Sequence, residues 1–158
     1  MGNATVIKNG DVQIMSAGTG IQHSEYNKNK DKEVKFLQIW MFPNKHNVTP
    51  RYDQITLNKE DRRNKLQQIL SPNQDDEGVW AHQDAWFHMA DFDNGEKTVY
   101  DFKLKGNGLY VFVLSGSIQV NGELLHARDG FGIWDVTSVQ LEAKSNTEFL
   151  SMEVPMTL

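Results

Sequence analysis

A histidine and a carboxylate stand two residues apart at His23 and Glu25, just after the glycine-punctuated stretch Ala17-Gly18-Thr19-Gly20. On an extended strand, side chains two apart point to the same face, so this pair can converge on one object. For imidazole beside carboxylate the natural object is a metal ion. A stable transition-metal site usually takes three or four protein ligands, so the remaining donors must come from elsewhere. The other histidines do not supply them in an obvious way. His46 lies in a polar loop and reads as solvent-facing, His82 and His88 flank a tryptophan-rich strand, and His126 ends a hairpin. None forms a His-x-His pair, and a lone histidine beside aromatic residues reads as packing or surface. No Ser-His-Asp arrangement, phosphate loop or dinucleotide fingerprint is present.

Composition excludes several classes of function. The chain has 158 residues, 39% hydrophobic and 23% charged, which is the make-up of one globular domain with an extra piece. It contains no cysteine, which excludes disulfides, thiolate zinc sites and thiol nucleophiles and fits a reducing compartment. A net charge of −5 without a block of lysine and arginine argues against nucleic acid as a partner. No apolar run approaches a membrane span and the N-terminus lacks the apolar core of a secretion signal, so no membrane partner and a cytoplasmic location are expected.

The elements that would position any site read as strands. Residues 85–92 are an apolar run, Asp93-Asn94-Gly95 reads as a hairpin turn, and residues 98–104 alternate, with Tyr100, Phe102 and Leu104 expected inside. Residues 109–114 are continuously apolar, as in a strand buried on both faces. Ile118 and Val120 alternate with polar residues, Asn121-Gly122 turns the chain, and residues 123–126 return. Residues 131–134 follow another turn, then Val139, Leu141 and Ala143, and finally Leu150, Met152 and Val154. Short strands at this spacing predict an all-β sandwich or barrel. Residues 27–35 form a lysine-rich solvated loop, residues 58–65 one or two helical turns after a capping Asn58, and residues 71–78 an acidic surface loop without the ligand spacing of a calcium-binding loop. Trp40, Trp80, Trp86 and Trp134 are expected in the core or between domains rather than in a ligand cage.

Several segments resemble the pirin family of bicupins. They are Gly10-Asp11-Val12-Gln13, Met15-Ser16-Ala17-Gly18-Thr19-Gly20, His23-Ser24-Glu25, Phe36-Leu37-Gln38-Ile39-Trp40 and Pro50-Arg51-Tyr52-Asp53-Gln54. Ser71-Pro72, Gln83-Asp84-Ala85 and Val113-Leu114-Ser115-Gly116-Ser117 are similar to the C-terminal cupin domain of bacterial pirin-related proteins. The likeness covers nearly the whole chain. It implies an all-β fold of cupin jelly-roll barrels: a partial N-terminal cupin segment over residues 1–56 and a complete C-terminal cupin barrel over residues 57–158. It also implies a site in the N-terminal barrel where three histidines and one glutamate bind iron or another divalent ion.

His23 and Glu25 match the third and fourth of those ligands. The first two, a His-x-His pair upstream, have no counterpart, since only ten residues precede Asp11 and none is histidine. The chain is therefore expected to lack the first half of the N-terminal cupin, and a metal-free, hydrogen-bonded His23–Glu25 pair stands as the alternative to an occupied site. The resemblance implies a quercetinase-type dioxygenase acting on flavonol-like small aromatic ligands, with Fe(2+) or another divalent metal as cofactor and Glu25 as ligand and base. Its rivals are a non-catalytic binding or regulatory module and a partial protein without independent activity. A homo-oligomer is expected, because the strand-like stretches at residues 12–15 and 34–41, whose barrel partners are missing, expose unpaired edges. The second barrel, with no histidine or glutamate in residues 110–121, is expected to have an apolar interior.

Overall fold

The computed structural model describes residues 5–157; residues 1–4 and 158, at the outer ends of the two expected segments, lie outside the described residues. Among the described residues, twelve strands and one 3-10 turn make up the regular structure. Strands β1 (Asp11–Ser16) and β2 (Arg51–Thr56) form an antiparallel two-stranded sheet. A single 3-10 turn, Lys59–Arg62, follows, and the Asn58 side chain accepts a hydrogen bond from the Glu60 amide at its start. Then come β3 (Gln67–Ser71), β4 (Val79–Trp80), β5 (Trp86–Phe92), β6 (Lys97–Asp101), β7 (Asn107–Ser115), β8 (Ser117–Val120), β9 (Glu123–His126), β10 (Gly130–Ile133), β11 (Ser138–Ala143) and β12 (Thr147–Pro155).

These ten strands form two sheets. The larger runs β10-β7-β12-β5-β3-β4 and the smaller β6-β11-β8-β9. They pack face to face as a jelly-roll barrel, because period-two alternation sends one set of side chains from each strand to a shared interior. That interior holds Ala90, Phe92, Leu109, Val111, Val113 and Phe149 from the larger sheet. Ile118, Val120, Val139, Leu141 and Ala143 meet them from the smaller, all essentially without solvent contact. Phe92 and Phe149 meet edge to face, with ring centroids 5.1 Å apart.

The opposite face of the larger sheet is apolar as well. Phe87, Leu150, Met152 and Leu70 form a second cluster there, and Val12, Ile14 and Ile55 of the two-stranded sheet pack onto it with Met41. The N-terminal part of the chain thus covers the back of the barrel. Arg62 ties the 3-10 turn to the barrel wall. It is buried, with Nε donating to Asp91 at 2.8 Å and Nη2 to Glu148 at 3.0 Å, so its charge is paired on both sides.

Several expectations need correction. Asn94-Gly95 is a turn but not a hairpin: β5 lies in the larger sheet and β6 in the smaller, so the turn carries the chain across the barrel. Asn121-Gly122 is the two-residue hairpin expected. Val120 pairs with Glu123 across it, and both turn residues have positive φ, 46° and 95°. Residues 109–114 are not buried on both faces, since Tyr110 is exposed on the outer side. Leu104 is exposed, and so are Trp40 and Trp134. Residues 34–41 form no strand, because no neighbouring strand pairs with them.

Gly116, between β7 and β8, has φ +80°, and an added Cβ would overlap the Asn146 carbonyl oxygen. Gly95 has a similar φ of +87° but open space around it. Gly95→Ala is therefore expected to cost about 1–2 kcal/mol, the left-handed backbone penalty alone. Gly116→Ala adds an overlap against backbone and should cost roughly 1–3 kcal/mol more. Urea unfolding of the two variants side by side measures the difference.

Candidate functional site

The two-stranded sheet has one face on the barrel and one in solvent, and its sequence alternates accordingly. Val12, Ile14 and Ile55 face the barrel, whereas Asp11, Gln13, Tyr52, Gln54 and Thr56 form a polar ladder outside. Asp11 organises one end. Its carboxylate accepts from Thr56 Oγ1 at 2.7 Å, from the Lys8 amide at 2.8 Å and from Gln54 Nε2 at 2.8 Å. The Thr56 bond first, then the Lys8 amide, lower the Asp11 pKa from its ordinary value. Tyr52 donates to Gln54 Oε1 at 2.5 Å, with Gln13 Oε1 3.3 Å from the same hydroxyl, and Gln13 Nε2 donates to Glu25 Oε1 at 3.2 Å. Asp11, Gln13, Tyr52 and Gln54 therefore act together to hold Glu25 over the outer face.

Arg51 faces the other way. Its guanidinium sits 3.8 Å from the centre of the Trp80 ring and donates from Nη2 to the Trp80 carbonyl, pinning the sheet to β4. Burial lowers the Arg51 pKa, partly countered by Asp53 3.7 Å away. His82 meets the edge of Trp80 with ring centroids 4.8 Å apart, and burial, then the charges of Lys45 and Arg51, lower its pKa.

His23 and Glu25 lie in an exposed, irregular stretch rather than on a strand, so the same-face argument of a strand does not apply to them. Among the described residues no three histidine, aspartate or glutamate side chains approach closely enough to hold a metal ion. His46 and His126 are exposed, and His82 and His88 serve the packing of Trp80 and Tyr100. The described donor set is thus an imidazole and a carboxylate held only through Gln13, which falls short of what a divalent transition ion needs.

The interior of the C-terminal barrel is not uniformly apolar. At one end β5, β6, β7 and β12 bring together His88, Tyr100, Asn107 and Glu153, all buried. Glu153 has no solvent contact and accepts four hydrogen bonds: Tyr100 Oη at 2.7 Å, Asn107 Nδ2 at 2.9 Å, and the amides of Lys103 and Leu104 at 2.9 Å each. These donors make a buried carboxylate tolerable and lock the turn between β6 and β7 to the barrel floor. Burial raises the Tyr100 pKa, reinforced by the bond to Glu153, so the phenol stays protonated. His88 meets Tyr100 edge-on at 5.3 Å, and burial, then the charge of Lys103, depress its pKa to about 4. Sequence reasoning missed this cluster because its members lie on four strands up to 65 positions apart (153 − 88). The alternation of Ser151 and Glu153 with Leu150, Met152 and Val154 was the available signal.

A jelly-roll barrel of two antiparallel sheets packed face to face is the architecture of a cupin. The comparisons with known proteins agree. The profile of the quercetinase C-terminal cupin domain matches residues 68–154, and that of pirin matches residues 1–41. The chain belongs to the pirin family. It is 34% identical to quercetin 2,3-dioxygenase of Escherichia coli over 98% of its own length and 65% of the relative's. The crystal structure of YhhW from Escherichia coli superposes with a TM-score of 0.92 at 32% identity, covering 99% of this chain and 65% of that one. A second crystal structure, described as bacterial pirin YhhW in complex with nickel(II), superposes with a TM-score of 0.87, covering 94% and 62%. The chain thus spans about two thirds of the length of the relatives it matches. No helix among the described residues is long and apolar enough to cross a membrane.

His88 makes stability depend on pH. Its folded pKa of about 4 lies below the unfolded value near 6.5, so between these values the unfolded chain binds more protons. Stability is therefore full above pH 6.5 and falls as pH drops towards 4, by on the order of 2–3 kcal/mol from this group. In His88→Gln that share of the loss should vanish. Urea unfolding of both proteins at pH 7 and pH 4.5 reads it out, and equal losses in the two would show that His88 protonates without penalty.

Proposed function

We propose that the protein serves quercetinase-type chemistry: dioxygenase cleavage of flavonol-like, polyhydroxylated aromatic substrates at a divalent metal. This chain contributes His23 and Glu25 together with the supporting barrel. The observation that carries the reading is the 34% identity to quercetin 2,3-dioxygenase over 98% of this chain. The nickel(II) complex of a pirin relative supports a divalent ion as the cofactor class. The described residues do not complete a metal site, so activity is expected only where further ligands join His23 and Glu25.

What the chain's own residues do is orient and exclude. Gln13 holds the Glu25 carboxylate on the solvent side of the two-stranded sheet. In this reading Glu25 takes a proton from a substrate hydroxyl. The barrel behind that sheet has a sealed apolar interior, and its polar end is committed to internal hydrogen bonds. A non-catalytic binding or regulatory role is the second reading, favoured by the absence of a three-ligand cluster among the described residues.

Elemental analysis of protein purified without chelators, followed by dioxygen-uptake assays with quercetin, tests the proposal. The chain alone should retain substoichiometric metal after dialysis and give no uptake. Uptake should appear when a pirin fragment carrying a His-x-His pair is supplied together with a divalent ion, and His23→Ala and Glu25→Gln should abolish it. If no combination of fragment and metal yields uptake, the binding-module reading stands. Stoichiometric metal retained by the chain alone would show that it completes the site unaided.

A further inference from the structure

Residues 33–41 are unsatisfied in two respects. None of their backbone amides or carbonyls is hydrogen-bonded within the described chain; the nearest bonds are from Asn27 Nδ2 to the Lys32 carbonyl and from Gln83 Nε2 to the Phe42 carbonyl. Their side chains alternate like those of a strand that needs cover on both faces. Leu37, Gln38, Ile39, Trp40 and Met41 border an apolar groove of about 440 Å³ against Phe112 and Met152 of the larger sheet. Phe36, Trp40 and Phe42 are 66%, 88% and 74% exposed. Strand-forming residues apolar on both sides, with free backbone groups, form an edge that templates pairing.

The size of the surface fits a stable association. An aromatic side chain of this kind buries about 150–250 Å², so the three mostly exposed aromatics alone offer roughly 400–500 Å². Val34 in the same segment, and Leu37, Ile39 and Tyr110 at the groove, are each about half exposed. They bring it to the order of the ~800 Å² per partner buried in a standard interface.

We propose that a second copy of this chain occupies the edge, through antiparallel pairing of residues 33–43 about a two-fold axis at Gln38. The sequence is self-complementary in that register. Phe36 of each copy stands opposite Trp40 of the other and Val34 opposite Phe42, giving two aromatic pairs and two valine–phenylalanine pairs on one face. Leu37 stands opposite Ile39 on the other face, and Asp31 opposite Lys45 where the pairing ends. No like charges face one another between residues 31 and 45. Pro43, without an amide hydrogen, closes the ladder. A register centred on Ile39 would instead set Trp40 against Gln38, and one centred on Leu37 would set Phe42 against Lys32, each wasting an exposed aromatic. A two-fold axis makes the contact isologous and closed, so it ends at a dimer rather than a fibre. The pairing requires neither metal nor substrate, and its test is independent of the dioxygenase reading.

The absence of cysteine from the chain makes the test direct. Sedimentation equilibrium at micromolar concentration should give twice the mass of the 158-residue chain. Gln38→Cys should form a disulfide-linked dimer on mild oxidation, whereas Glu123→Cys, exposed on the far hairpin, should not. Trp40→Lys should weaken association at least about tenfold while leaving the circular dichroism spectrum unchanged. A monomer at these concentrations would overturn the proposal, with the segment folding back on its own barrel. So would a dimer that resists Trp40→Lys and fails to cross-link at position 38, since its interface would lie elsewhere.

Discussion

The larger sheet of this protein is apolar on both faces, and that constraint governs the rest of the structure. A sheet with one apolar face is satisfied by a single packing partner. Here β5, β7 and β12 alternate so that Ala90, Val111 and Phe149 point into the barrel while Phe87, Phe112 and Leu150 point out of it. Both sets must leave water. The smaller sheet covers the inner set completely. The outer set is covered by the two-stranded sheet and, in part, by residues 37–41. The N-terminal part of the chain is therefore not an appendage to a finished domain but the second lid of its sheet.

That arrangement also determines where chemistry can occur. Because Val12, Ile14 and Ile55 are committed to the barrel, the alternate residues of β1 and β2 must face solvent, and these are the polar residues that carry the pirin likeness. Asp11, Gln13, Tyr52 and Gln54 link to one another, and through Gln13 they reach Glu25. Arg51, next to Tyr52 in sequence, turns inward onto Trp80 and anchors the platform. In the barrel the polar groups do the opposite work. Glu153 spends its acceptor capacity on Tyr100, Asn107 and two backbone amides, so the cluster is a fastening between strands rather than a place for a ligand. The two carboxylates are distinguished by what surrounds them: one hydrogen bond in solvent for Glu25, four in the dark for Glu153.

Much of the fold was legible in the sequence. Val139, Leu141 and Ala143 show the period of two that a half-buried strand must have, and they are buried. Asn121-Gly122 supplies the positive φ values of a two-residue hairpin and forms one. Asn58 before Glu60 announces a capped turn and caps one. The errors came where local signals are silent about partners. Asn94-Gly95 makes the same tight turn whether the strands on either side pair with each other or cross to different sheets. The apolar run through Tyr110 and Phe112 cannot say that its outer face borders an incompletely filled groove.

By itself the sequence determined the strand periodicity, the turns, the membership of the pirin family and the candidacy of His23 and Glu25, because each is written in residue type and short-range spacing. The tertiary structure alone decided which strands share a sheet, which polar residues are buried together, and whether a strand-like segment has a neighbour. Those depend on contacts between residues far apart in the chain: Glu153 meets Tyr100 across 53 positions, and Arg62 meets Glu148 across 86. Residues 33–41 show the division most clearly. Their alternation is that of a strand, but strand pairing is a property of two segments, and among the described residues the second is not there to complete it.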